Sequence, residues 1–149
     1  MWIAKLNFLI AGTGVLGTLA KKHNITLTGY PISYNKSENG FISFLAGTIF
    51  GEENNKKSLP KDVKKDKTFI YLERKGDFIF GFLKIKPEIE PLYNPFIIHT
   101  KPTIIFPDGS QIIEVGSLDR KNLQKIANYV ENELPNRGRA SGYHETKLS

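Results

Sequence analysis

The stretch "ITLTGYPISYNKSENGFISFLAGTIF", residues 25–50, decides the fold. Its first part, "ITLTGYPISY" (25–34), reads as a strand with an irregularity at Gly29 to Pro31, and "FISFLAGTIF" (41–50) reads as another. Between them "NKSENG" (35–40) is polar and ends in Asn39-Gly40, a dipeptide suited to tight turns with positive φ. Strands joined by so short a turn are antiparallel neighbours.

Upstream, "WIAKLNFLI" (2–10) is apolar and β-rich, and predicts a strand. In "GVLGTLAKKH" (14–23), Val15, Leu16, Leu19 and Ala20 fall at helical spacing, with Lys21, Lys22 and His23 near the negative end of the dipole. Asn24 is placed to stop that helix. The junction carries Gly12, Thr13, Gly14 and Gly17 in the spacing of a dinucleotide loop. There the first glycine allows the tight turn, the second admits a pyrophosphate and the third permits close helix–strand packing. Such a unit must leave its second strand through a helical crossover and needs an acidic residue about 20 residues on. This chain supplies a hairpin instead, and its nearest acid, Glu38, lies in the polar turn. A plain strand-to-helix connection is therefore preferred, with NAD-type nucleotide binding as the alternative.

Downstream, "EENNKKSLPKDVKKDK" predicts a helix that Pro60 breaks or shortens. Its Lys56, Lys57, Lys61, Lys64 and Lys65 read as a solvated helix face, or, in a third reading, as a nucleic-acid patch without aromatic residues between the lysines. "TFIYLER" (68–74) and "DFIFGFLKIK" (77–86) flank Lys75-Gly76, a hairpin signal. Phe78, Phe80 and Phe82 alternate with Ile79, and Leu83 and Ile85 continue the opposite face, so this strand is expected to be central and covered on both sides. Gly81 inside it marks a bulge or a close backbone approach. "PEIEPLYNP" (87–95) is a loop, and "FIIHT", "PTIIF" and "QIIEVG" are strands, the last two joined by a Pro107-Asp108-Gly109 turn. Ser117 is a candidate N-cap for the helix "LDRKNLQKIANYVENEL", whose Leu123, Ile126, Ala127 and Val130 form one stripe. Residues 135–149 lack a periodic apolar pattern and are expected to be a flexible tail behind a single domain of residues 1–134. The order β-α-β-β-α-β, then a hairpin and a helix, predicts an α+β two-layer sandwich with a ferredoxin-like first half.

Composition narrows the chemistry. With 149 residues the chain can bury a core without disulfides or metal, and with no cysteine it has no thiolate metal site or thiol nucleophile. That fits a cytoplasmic protein, and no apolar run approaches the roughly 18 residues that span a bilayer. His23, His99 and His144 are too far apart in sequence for a helical metal pair, so no metal is expected. No nucleophile elbow or acid–base constellation appears, so no catalytic residue, enzyme activity or cofactor is assigned. Asp108 suits its turn and Asp119 suits the first turn of the last helix, where it helps to cap, while Glu114 falls in a strand. A formal charge of +6 raises the odds of an anionic partner.

The segments "KPTIIFPDGSQII" (101–113) and "EVGSLDRKNLQKI" (114–126), with "MWIAKL", "TGYPISY", "FGEENNKKSL" and "LERKGDFIF", carry a family resemblance. Over about residues 1–134 the chain resembles the N-terminal regulatory domain of archaeal transcription regulators of the bacterio-opsin-activator helix-turn-helix type. The resemblance implies a ferredoxin-like or ACT-like sensor or dimerisation module, a homodimer that responds to an unknown small-molecule ligand. Such regulators carry the DNA reader at the C-terminus, and the 15 residues after Leu134 (149 minus 134) are too few for it. DNA contact is thus expected only through a missing or separate helix-turn-helix. The ligand pocket is expected between the Gly12 to Gly17 connection and the strands ending near His99.

Overall fold

A computed structural model describes residues 1–8, 15–85, 94–132 and 141–148. Along the chain run β1 (Trp2–Phe8), α1 (Val15–His23), β2 (Thr26–Ser37), β3 (Gly40–Phe50), α2 (Glu53–Val63), β4 (Phe69–Lys75) and β5 (Phe78–Ile85). They are followed by β6 (Ile98–His99), β7 (Thr103–Ile105), β8 (Gln111–Ser117), α3 (Arg120–Asn132) and β9 (Ser141–Lys147). Among the described residues the strands form one nine-stranded sheet in the order β4-β5-β3-β2-β7-β8-β1-β9, with β6 added on β8. Every pairing is antiparallel.

The hairpin that decides the fold is present: Ser37 pairs with Gly40 and Thr26 with Phe50, and the register shifts between Pro31 and Ser33. The expected α+β two-layer sandwich of ferredoxin-like or ACT-like type is overturned: the fold is β-rich, mostly antiparallel sheet. The elements follow one another as β-α-β-β-α-β, but that unit needs parallel neighbours brought together by helical crossovers. Here the free edge of β3 is taken by β5, and β1 lies far off between β8 and β9. A second hairpin, closing at Gly76 with φ 61°, puts β4 outside β5 and completes a β-rich antiparallel meander.

Register shows which side of the sheet is buried. Phe8 opposes Gln111, Gln111 opposes Ile105, Ile105 opposes Leu27 and Leu27 opposes Ile49, so these residues share a face. All three helices of the described residues pack on it. Helix α3 lays Leu123, Ile126 and Val130 against Ala4, Leu6 and Val115, while half-buried Ala127 flanks that stripe. Helices α1 and α2 contribute Leu19, Ala20, Leu59 and Val63, packed with Ile25, Leu27, Ile49 and Ile105. A smaller cluster of Phe41, Leu83 and Ile85 extends this core along β3 and β5. The opposite face carries no helix among the described residues. Strand β5 is consequently covered on one side only: Leu83 and Ile85 are buried, whereas Phe78 and Phe82 are 48% and 41% exposed.

Local chemistry accounts for the ends of elements. Asn24 adopts φ 51°, and Ile25 N–H donates to Ala20 O (3.0 Å) while Asn24 N–H donates to Lys21 O (3.4 Å), the double closure of a helix C-terminus. Helix α2 continues through Pro60. The lost backbone donor is tolerated because Leu59 and Val63 on either side are buried on the sheet. At the start of α3, Lys121 N–H donates to Asp119 Oδ1 (2.9 Å), so Asp119 serves as the cap, while Ser117 Oγ accepts from Asp119 N–H (3.3 Å) and Asn122 Nδ2 (3.1 Å) one step earlier. Gly109, with φ 87°, turns β7 into β8, and Asp108 Oδ1 accepts from Ser110 N–H (2.9 Å).

The expected tail is corrected in part. Residues 141–147 form β9, which pairs with β1 from Trp2↔Lys147 to Phe8↔Ser141. Residues 133–140 lie outside the described part, as do residues 9–14 and 86–93, and with them most of the loop expected over 87–95. Among the described residues, no helix is long and apolar enough to cross a membrane.

Candidate functional site

Three glycines shape a cavity on the helix-bearing side of the sheet. Gly29 opposes Gly47 across β2 and β3, and Gly81 opposes Leu45 across β5 and β3. A Cβ on Gly47 would stand 1.8 Å from Thr28 O, one on Gly29 2.5 Å from Ala46 O, and one on Gly81 2.2 Å from Tyr71 O. No side chain fits at these distances, so glycine is what lets the three strands coil this tightly. The same glycines leave the space above them unfilled.

That space is a cavity of about 160 Å³. Its walls are mainly apolar, with Leu16 from α1, Leu27 from β2, Leu45 from β3, Leu72 from β4 and Ile79 from β5. Polar groups enter from β6, β7 and β8, where His99, Thr103 and Gln111 join the lining. His99 is held in position by pairing with Val115, and beside it Thr100 Oγ1 donates to Glu114 Oε1 (2.8 Å). Gln111 is buried.

Of the residues singled out from the sequence, His99 lines the cavity. Gly17 lies one position beyond the lining residue Leu16; it is buried in α1, and a Cβ there would meet Gly109 O at 2.9 Å and Gln111 Nε2 at 3.1 Å. Its smallness thus lets α1 close onto the β7–β8 turn. Gly12, Thr13 and Gly14 lie outside the described residues. The glycine floor is only partly legible: Gly29 and Gly81 read as irregular strand positions, whereas Gly47 reads as an ordinary one. The available signal is a glycine inside each of three β-rich runs.

The lysines of α2 do not act as a unit. Lys56 is tied to Asp77 (2.7 Å) and lies 4.0 Å from Glu53, which is itself bonded by Arg74 (2.8 Å). Lys57, Lys61, Lys64 and Lys65 are exposed on the helix layer, away from the open sheet face.

The sequence also missed a polar cluster between α1 and α2. Buried His23 places Nε2 2.8 Å from Asp62 Oδ2 and Nδ1 2.7 Å from Ser58 Oγ, and Lys22 reaches the same carboxylate at 2.8 Å. Ser, His and Asp are the types of a nucleophile relay. Here, however, Ser58 gives its hydroxyl hydrogen to Asn55 O (2.7 Å), and none of the three lines the cavity. The cluster clasps the two helices together.

Hydrogen bonding from Lys22, and after it from His23, holds the Asp62 carboxyl below its ordinary value of 3.8. A depressed carboxylate adds stability above its unfolded-state value, and that contribution is lost as pH falls through the folded-state value. Asp62→Asn is therefore expected to lower the urea midpoint more at about pH 6 than at about pH 3. Equal losses at both pH values would show that the carboxylate charge does not hold the clasp.

Comparison of the chain with family models, with curated proteins and with solved structures finds no match.

Proposed function

We propose that this chain is a non-enzymatic ligand-sensing domain whose site is the glycine-floored cavity. The observation that carries the reading is the cavity itself: about 160 Å³, apolar on most sides, with His99, Thr103 and Gln111 grouped on one. Few polar groups converging in an apolar hollow is the usual make-up of a small-molecule site. A buried apolar cavity of about 150 Å³ accepts a single aromatic ring. The ligand class is accordingly a compact, mostly apolar molecule of one or two rings with a polar substituent directed at Gln111 and Thr103. A dinucleotide greatly exceeds this volume.

The resemblance to regulator N-terminal domains supports placing such a sensor in transcriptional control, acting on DNA through a helix-turn-helix elsewhere, and the lack of cysteine agrees with a cytoplasmic setting. Self-association is part of the same reading: β4 and β9 end the sheet, and an end strand offers unpaired backbone groups to a second copy. Sedimentation showing a monomer at high concentration would remove that part.

Calorimetric titration with indole and with p-cresol tests the site. Sub-millimolar binding is expected, weakened about tenfold by Gln111→Leu and abolished by Leu45→Phe, which fills the hollow. Micromolar binding of NAD(P) that is lost on Gly14→Val, with no response to the ring compounds, would overturn the reading in favour of a nucleotide site.

A further inference from the structure

The helix-free face of the sheet carries a second feature, although its Phe80 and Phe82 also border the cavity. Register places Tyr71 opposite Phe82, Phe82 opposite Phe44 and Phe80 opposite Ala46, so aromatic side chains of β4, β5 and β3 project from one surface. Their rings form a continuous cluster: Phe44 lies 5.0 Å from Phe82 and 6.3 Å from Phe80, and Phe80 lies 5.4 Å from Phe78 and 6.4 Å from Tyr71. Tyr71 and Phe78 are 47% and 48% exposed, so the ring surfaces meet solvent. An apolar patch of this kind on a small domain marks an interaction surface.

Charge selects the occupant. Lys75 opposes Phe78 and Lys84 opposes Ile42, so both lysines lie on the aromatic face; both are exposed, and neither forms an ion pair among the described residues. The carboxylate on this face, Glu73, accepts a hydrogen bond from Tyr71 Oη. The whole chain carries a formal +6. A second copy laid on this face would bring the same lysines and the same net charge against themselves, and would bury cations without partners. A partner with flat π faces spaced along a negative backbone matches rings and lysines together. Single strands have both features, whereas a duplex keeps its bases stacked inside.

We propose that the face formed by β4, β5 and β3 binds single-stranded nucleic acid, with bases stacked on Phe44, Phe80 and Phe82 and phosphates held by Lys75 and Lys84. This is a different surface from the lysines of α2. Stacking is indifferent to base identity, so binding should show weak sequence preference, with Glu73 placed to accept from exocyclic amino groups.

The test is fluorescence anisotropy of labelled 12-nucleotide oligo(U) and oligo(dT) with the full chain. Micromolar binding is expected at about 50 mM salt, falling with salt by about 0.7 log unit per log unit for each phosphate neutralised. Phe44→Ala with Phe82→Ala should weaken it at least tenfold, while Phe82→Tyr, which keeps a stacking ring, should bind almost as wild type. Lys75→Glu with Lys84→Glu should weaken binding and flatten the salt dependence. Thermal unfolding of each variant separates lost contact from lost fold. The proposal is overturned by no binding at about 100 μM chain, by affinity unchanged in the double alanine variant, or by loss only in Lys64→Glu with Lys65→Glu. It is equally overturned if Phe82→Ala dissolves a homodimer, or if the face retains anionic vesicles and no oligonucleotide.

Discussion

Gly47→Val is expected to destabilise the chain by about 3 kcal/mol or more, at the upper end of what overpacking costs. The first added carbon already falls 1.8 Å from Thr28 O, and Gly29 Cα lies 2.7 Å from the same point. Neither obstacle is a side chain that can swing away; both are backbone of the paired strand. Relief must come from separating β2 from β3, which breaks the hairpin on which the sheet order rests and flattens the floor of the cavity. Chemical denaturation measures the loss, and calorimetry with indole reports the cavity. A variant that unfolds within about 0.5 kcal/mol of the parent would show that the close approach is not a constraint. Gly76→Ala is a useful contrast: nothing lies within 4 Å of a Cβ there, so its cost is limited to the positive φ of 61°.

The other large effect belongs to the far end of the sheet. Ile126 is fully buried at the centre of the α3 stripe, clustered with Ala4, Leu6 and Val115. Removing its branched side chain leaves a void between a helix and two strands whose backbones cannot collapse, and Ile126→Ala should cost about 2–5 kcal/mol. At roughly 2–4 °C per kcal/mol for a chain near this size, Tm should fall by about 10 °C. Lys125→Ala, one residue earlier and exposed, should change stability by less than about 0.5 kcal/mol. Equal effects at the two positions would mean that α3 is not seated by this stripe.

What could be read from the residues was what is local. Asn39-Gly40, Lys75-Gly76 and Pro107-Asp108-Gly109 each turn the chain because of their own dihedral preferences, and the spacing by three and four of Leu123, Ile126 and Val130 needs no partner to be visible. Which strand lies beside which is a different kind of information. The pattern β-α-β-β-α-β fits several sheets, and β3 took β5 because their long apolar faces match from Phe41↔Ile85 to Thr48↔Phe78. Strand β9 left no hydrophobic trace: "SGYHETK" is held by its backbone bonds to β1 and, at Glu145, by an ion pair with Arg120. The phenylalanines of β5 misled in the opposite way, since an apolar face reads as buried whether or not anything covers it. For the site, a pocket is expected between the Gly12 to Gly17 connection and the strands ending near His99; Gly12, Thr13 and Gly14 lie outside the described residues, and His99 is among the residues that line the cavity. Its floor as a whole is not legible in the sequence, because it depends on pairing that brings Gly29 opposite Gly47 and sets Gly81 opposite Leu45 beside them.

The short strand β7 has a mechanical meaning. It opposes β2 at Leu27, Thr28 and Gly29, and opposes β8 at only Ile112 and Gln111. On one side of it lies the core built on α3, on the other the core built on α1 and α2. The two cores thus meet across this three-residue strand, and the hollow spans it, with Leu45 on one side and Gln111 on the other. Any compound lodged there touches strands on both sides of β7, so it stabilises the folded chain against their separation in proportion to its occupancy.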